Sequence, residues 1–401
     1  MAERSPAPPP IPYAAHEVAE EDVGAALAVL RGGRLAQGPE VVRFEEALTE
    51  AIGAPFAVAV SSGTAALHAA LAALGVGPGD EVIVPPLSFV ATANAVLFCG
   101  ARPVFADVEA ETLTLAPAEV AKQLTPRTRG AIAMHYGGHP ADADALRQVL
   151  GPERFLLEDA CHALGAQLRG RAAGTLGDAA CFSFHPAKLI TTGEGGAVTT
   201  GSEEMARRLR QLREHGIERE AAGFRGLGLP AELAAEERGP WMYEMQALAP
   251  NYRLPELSAA LGRSQLGRRA ALLARRRSLA EAYRRALGDL EELELPAEAA
   301  GARSAWHLYP VRLHPERLRR SRAEIFAGLR RRGIGVQVHY IPIHLQPYYR
   351  ARLGTRFGDC PVAEREYLRL VSLPLFPALA EAGLDRVVGA LREEIREARR
   401  P

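Results

Sequence analysis

This 401-residue chain is short of lysine: of its 48 Lys and Arg residues only Lys122 and Lys188 are lysines, and the other 46 are arginines. Other shortages narrow the field. The four cysteines (Cys99, Cys161, Cys181, Cys360) have no C-x-x-C spacing and mostly apolar neighbours, so they suggest neither a disulfide framework nor a zinc site, and a reducing cytoplasm fits them. No run of about 18 apolar residues is present, so no membrane span is expected. The opening M-A-E-R-S-P-A-P-P-P lacks the apolar stretch of a secretory signal. The formal net charge is zero, which gives no general attraction to nucleic acid or to an anionic membrane. Local arginine runs, Arg275 to Arg277 and Arg330 to Arg332, read as solvated helix faces.

The length suffices for two domains and a core that buries about three quarters of the unfolded surface. After a proline-rich start, a helix is expected from about Glu20 to Arg31. Apolar runs and helical periods then alternate. Strands are expected at Ala57–Val60, Glu81–Val84, Pro103–Asp107, Ala131–His135, Phe155–Glu158, Ala180–Phe184 and Ala197–Thr200, with helices at Thr64–Leu74, Phe89–Cys99 and Asp142–Leu150 between the earlier ones. That alternation predicts an α/β domain with a mainly parallel sheet. A long Arg-rich helical run follows from Pro255 to Leu287, and beyond 296–302 the pattern changes to short strands and helices. We divide the chain into an N-terminal arm (1–19), a large α/β domain (20–255) and a long helix with a smaller α+β domain (256–401).

The stretch 181–200, C-F-S-F-H-P-A-K-L-I-T-T-G-E-G-G-A-V-T-T, sets Lys188 in a glycine-rich loop between two strands. A chain this biased to arginine keeps lysine readily where arginine cannot substitute. Attack on a carbonyl is such a place, because a guanidinium stays protonated; a surface loop lysine is the alternative. Lys122 lies in a polar helical run and needs no such explanation. Ser62-Gly63-Thr64 follows a strand and opens a helix, a place for a phosphate on backbone amides or for an ordinary N-cap. Asp159 ends a hydrophobic strand in Leu157-Glu158-Asp159-Ala160-Cys161-His162, where a carboxylate can meet a ligand or cap a helix. Phe89, after another strand, offers a ring face or a core contact.

Phosphate cradle, aromatic plate, acid and lysine thus follow one another in chain order, each just after a strand. In this combination, from about Ile11 to Pro377, the sequence resembles the DegT/DnrJ/EryC1/StrS family of sugar aminotransferases, pyridoxal 5'-phosphate enzymes of fold type I with an aspartate aminotransferase-like architecture. The resemblance implies that Lys188, the lysine of S-F-H-P-x-K, carries the cofactor, that Asp159 of E-D-A-x-H pairs with its pyridine nitrogen, and that His162 lies beside its ring hydroxyl. Ser62, Gly63, Thr64 and Ser183 match phosphate-loop positions. Asn251 of N-Y-R matches a residue that reaches the phosphate of a neighbouring subunit, which implies a homodimer with shared active sites.

Within the family, P-W-M-Y-E-M-Q (240–246), S-A-W-H-L-Y-P-V (304–311) and V-Q-V-H-Y-I-P-I-H-L-Q-P-Y-Y (336–349) are similar to the UDP-4-amino-4,6-dideoxy-N-acetyl-β-L-altrosamine transaminases of pseudaminic acid biosynthesis. That likeness implies transfer from L-glutamate to C4 of a UDP-linked 4-keto-6-deoxy sugar. Tyr13, Arg34, Gln37, Arg253, His339, Tyr340 and His344 are the expected substrate contacts, with Arg253 facing either the glutamate carboxylate or the diphosphate. Residues 217–239 are longer and richer in Gly, Ala and Glu than that branch leads one to expect. Other UDP- or dTDP-keto sugars remain open, as does a non-catalytic sensor that binds cofactor or nucleotide sugar. A pyridoxamine-dependent dehydratase of this fold has histidine in place of the lysine, and Lys188 argues against it.

Overall fold

The computed structural model describes residues 9–230 and 239–400. Residues 1–8 of the proline-rich start and 231–238 of the Gly/Ala/Glu-rich segment lie outside the described residues.

Seven strands form the central sheet: β1 (Phe56–Val60), β2 (Glu81–Val84), β3 (Arg102–Phe105), β4 (Thr128–Met134), β5 (Phe155–Asp159), β6 (Ala179–Ser183) and β7 (Gly196–Thr200), in the order β1-β7-β6-β5-β4-β2-β3. All neighbours run parallel except β7, which is antiparallel to both β1 and β6. The middles of these strands, such as Val58–Val60, Val82–Val84 and Ala131–Met134, read as continuous apolar runs because both faces of the sheet are covered. Helices α3 (Gly63–Ala73), α4 (Ala91–Phe98) and α7 (Glu203–Arg213) pack on one face with Val58, Val84, Ile132 and Leu157. The other face, with Ala59, Ile83, Ala133 and Phe182, meets α2 (Pro39–Ile52), α5 (Pro117–Gln123), α6 (Ala143–Leu150) and α8 (Glu256–Gly267). These helices and α1 (Glu20–Gly32) begin or end within two residues of the expected limits where the sequence reading assigned them. The long run from Pro255 is two helices, α8 and α9 (Arg269–Leu287), broken after Gly267, a poor helix former.

A second core surrounds a three-stranded antiparallel sheet, β8 (Leu293–Glu294), β9 (Tyr309–Leu313) and β10 (Leu370–Leu373), and includes α9, α10 (Arg322–Arg331) and α13 (Glu381–Ala398). The first described residues dock on it. Ile11 is buried there, its amide bonded to the Gly333 carbonyl and its own carbonyl accepting from Gly335 N. Residues 337–346 cross back to the first core, where Ile343 N donates to Pro86 O and α11 (Pro347–Leu353) and α12 (Pro361–Arg369) bury Tyr349 and Cys360. That crossing carries His339 and Tyr340 over the carboxyl edge of the large sheet.

The reading of Arg275 to Arg277 as a solvated face needs correction. Arg276 is 1% exposed and points into the molecule.

Candidate active site

The carboxyl ends of β1, β2, β5 and β6 open on one cavity of about 650 Å3, the usual crevice of such sheets. At its floor β1 gives way to α3. Ser62 caps that helix, its Oγ accepting from Ala65 N at 3.0 Å, while Ala66 N bonds the Ser62 carbonyl. The cap reading is therefore right for the Ser62 side chain. It leaves the Gly63 and Thr64 amides, at the positive end of the helix, with no intrahelical acceptor. Close packing fixes Gly63: a Cβ there would sit 2.9 Å from Ser183 Cβ and 3.2 Å from Cys161 Sγ. At Gly196 a Cβ would lie 2.4 Å from the Ser62 carbonyl oxygen, so the start of β7 and the α3 turn touch backbone to backbone.

Lys188 stands on the loop between β6 and β7, which starts and ends at this same edge. The loop is pinned: Thr191 Oγ1 and Thr192 N both donate to Phe184 O at 3.0 Å, and Lys188 N donates to His185 O at 2.8 Å. Its Nζ has no hydrogen-bond partner among the described residues. Burial lowers the ammonium pKa below the usual lysine value; the Asp159 charge opposes this, and Arg276 adds to it. Asp159 is held from two sides, Oδ2 by Thr92 Oγ1 at 2.7 Å and Oδ1 by Cys161 N at 3.3 Å, with Ser88 Oγ in turn 2.5 Å from Thr92 Oγ1. Its neighbour Glu158 faces the other way and is structural, bonded to His135 and to the amides of Gly174, Leu176 and Gly177.

His162 Nε2 meets Tyr340 Oη at 3.1 Å, and its ring lies 4.2 Å from that of His307. Both histidines are pushed well below the usual pKa, by burial first and further by the neighbouring Lys188, so both are neutral at pH 7. Each keeps a buried Nδ1 without a partner among the described residues. Tyr13, His339, Tyr340 and Phe89 form the wall above. Burial lowers the His339 pKa to about 4, and its Nδ1 meets Ser372 Oγ at 2.9 Å. Phe89 is 57% exposed, which makes it a ring face turned to the cavity and not a core contact.

Five expected residues are elsewhere. His344 is fully buried and bonded through Nε2 to Glu364 Oε1 at 2.8 Å, away from the cavity lining. It is a core histidine and no substrate contact. Arg34, Gln37, Asn251 and Arg253 do not line the cavity of their own chain. Gln37 and Arg253 both donate to Glu214 Oε1, at 2.6 and 3.4 Å, while Arg34 and Asn251 are exposed. Tyr348 also faces solvent, and Tyr349 is buried against Asn94 Oδ1 at 2.6 Å. Four lining residues, Thr92, Glu194, His307 and Gln346, had not been singled out. The last three lie inside quoted motifs and Thr92 inside an expected helix, so their segments were visible and their individual roles were not. No cluster of potential metal ligands occurs among the described residues, and no described helix is long and apolar enough to cross a membrane.

The residues present fit pyridoxal phosphate. Free amides and hydroxyls at the α3 terminus and Ser183 suit a phosphate, and the Phe89 face suits a flat ring. A buried carboxylate, a neutral histidine and an unpartnered amine occupy the same cavity.

The model of the DegT/DnrJ/EryC1/StrS aminotransferase family matches residues 16–392. The Bacillus subtilis spore coat polysaccharide biosynthesis protein SpsC is 37% identical over 390 residues, covering 97% of this chain and 98% of its own. The PLP form of Streptococcus pneumoniae Spr1654 superimposes with a TM-score of 0.88 at 27% identity, over 97% of this chain and 99% of its own. Helicobacter pylori PseC, an aminotransferase involved in the biosynthesis of pseudoaminic acid, gives 0.87 at 29% identity, over 97% and 100%.

Proposed function

The chain belongs to the DegT/DnrJ/EryC1/StrS aminotransferase family, and from that membership we propose that it moves an amino group from L-glutamate to C4 of UDP-2-acetamido-2,6-dideoxy-β-L-arabino-hex-4-ulose. It is a pyridoxal-phosphate-dependent sugar aminotransferase of fold type I. The finer reading rests on the cavity wall. Tyr13, His339 and Tyr340 are uncharged donors and ring faces at neutral pH, and no arginine from the same chain lines the cavity among the described residues. Such a wall suits sugar hydroxyls and a uracil better than it suits paired carboxylates. The likeness to PseC supports the same substrate class.

Pyridoxal phosphate, when bound, supplies an electron sink that stabilises negative charge at the carbon bearing the amine. The α3 amides, Thr64 and Ser183 would hold its phosphate, and Phe89 its ring face. Asp159, oriented by Thr92, would keep its pyridine nitrogen protonated, and His162 would stand beside its hydroxyl. Lys188 would anchor it and, with Nζ free, act as the base that takes a proton from one carbon and returns it to another. Burial keeps that amine easier to deprotonate than a solvated lysine.

The protein would act as a cytoplasmic homodimer whose partner supplies Asn251, Arg253, Arg34 and Gln37. Supporting this, α1 exposes Val23, Leu27 and Leu30 at helical spacing, beside the exposed Leu35, an apolar face fitted to a second copy. The greater identity to SpsC favours a second reading, another UDP- or dTDP-keto sugar destined for a surface polysaccharide. Product analysis with L-glutamate and a panel of keto sugars separates the two. Amination of the β-L-arabino isomer, with His339→Ala slowing the sugar half-reaction and sparing the glutamate half-reaction, is the expected result. Amination of only a D-xylo isomer, or equal loss in both half-reactions, would overturn the first reading.

A further inference from the structure

Arg276 lies in the middle of an arginine run on α9, yet it is buried. Its Nη1 donates to the carbonyls of Leu375 (2.9 Å), Trp306 and His307 (both 3.2 Å), and its Nε has no partner among the described residues. No described carboxylate pairs with it. A buried cation without a counter-charge costs several kcal/mol, and an apolar side chain of similar volume would fill the space at less cost. Tethering α9 to its surroundings does not require it. Arg275 already bonds Leu379 O and Pro377 O, and Arg277 bonds Ser304 O and Gly165 O. What distinguishes Arg276 is its position, for it shares a small enclosed cavity with Lys188, Ser183, His162 and His307.

We propose that Arg276 is a positioning residue of the aminotransferase site, a fixed positive charge that holds His307 by its backbone carbonyl and shares one enclosed cavity with the Lys188 amine. Burial is the larger influence on each of these groups, and the guanidinium acts in the same direction on Lys188 and His307. Facing Lys188 from other elements, Asp159 opposes it, while Cys161, a thiol raised by burial, and His162, His307 and His339 are neutral neighbours. Glu194 and His185 lie on the exposed side of the cavity. With Arg276 neutralised, Lys188 holds its proton to higher pH, and a smaller fraction of free amine is available at neutrality.

The inference rests on Lys188 being the cofactor lysine, and the test separates the two claims. Full-length Arg276→Met, Arg276→Gln, Arg276→Lys and Arg277→Gln enzymes are stripped of cofactor. The rate of pyridoxal phosphate uptake is then followed by absorbance across pH, and the adduct is located by borohydride reduction and peptide mapping. In the two neutral Arg276 variants the uptake profile moves to higher pH, with a rate at pH 7 lower by about three- to tenfold. Arg276→Lys recovers at least half of that loss, and Arg277→Gln keeps the parental profile. Arg276→Met, which removes the donor to three carbonyls but buries no polar side chain of its own, is the second neutral variant if Arg276→Gln is unstable. A parental profile in whichever neutral variant folds would reduce Arg276 to a packing residue and overturn the proposal. Failure of the parental protein to load Lys188 would instead overturn the functional reading.

Discussion

Replacing His344 by alanine tests whether the second histidine of V-H-Y-I-P-I-H belongs to the core or to the substrate pocket. His344 and Glu364 are both almost inaccessible and lie 2.8 Å apart. Breaking a buried carboxylate's pairing ordinarily costs about 3–5 kcal/mol. Glu364 keeps the Gly358 amide at 2.8 Å and a longer bond from Cys360 N at 3.4 Å, which reduces the loss. Truncating the imidazole leaves a small void, which adds to it. We expect a net destabilisation of about 3 kcal/mol, and about half that for His344→Gln, which retains a donor. For a cooperative unit of roughly 150–250 residues, 3 kcal/mol lowers the unfolding midpoint by about 6–12 °C. Scanning calorimetry of the cofactor-loaded enzyme reads this directly. Steady-state kinetics well below the midpoint should show kcat and both KM values within about twofold of the parent. An unchanged midpoint with a raised KM for the sugar would refute the argument and return His344 to the pocket.

Gly63→Ala gains about 1 kcal/mol of helix propensity but forces a Cβ to within 2.9 Å of Ser183 Cβ, an overpacking that costs about 1–3 kcal/mol; equilibrium dialysis should show weaker pyridoxal phosphate binding, with stability changed by no more than about 2 kcal/mol. Burial holds His139 and His339 near pKa 4, so the unfolded chain binds more protons between about pH 6.5 and 4. Stability should be fully present above pH 6.5 and fall as the pH drops through that window, by up to about 3 kcal/mol for each histidine, and denaturation at a series of pH values should show a shallower slope in His139→Gln. Mixing a Lys188→Ala chain with an Asn251→Asp chain under exchange conditions should restore activity, since one site of the heterodimer would be intact; no restoration would show that Asn251 does not cross to a partner.

Much of the fold was legible because the central strands are covered on both faces, so Phe56–Val60 appears as an unbroken apolar run and Phe155–Leu157 as one that ends in the acidic pair Glu158-Asp159. Helix α2 was not assigned, although Pro39 opens it and Val41, Phe44, Leu48 and Ile52 mark its buried face. Lys188 was conspicuous through the scarcity of lysine. His344 and Arg276 were misread for one shared reason. Local composition says what a side chain can do, whereas its direction depends on which distant element packs against it. Glu364 lies 20 residues from His344, and Leu375 lies 99 from Arg276. Thr92 was hidden in the same way, since its role is to hold Asp159, 67 residues on.

Because the chain has only two lysines, one measurement tests the central claim with little ambiguity. The purified protein, loaded with pyridoxal phosphate and reduced with borohydride, is digested and its peptides are mapped by mass. A pyridoxyl adduct confined to the peptide that contains Lys188 is the predicted result. An adduct on Lys122, which is exposed and paired with Glu119, or no adduct on either lysine, would contradict it.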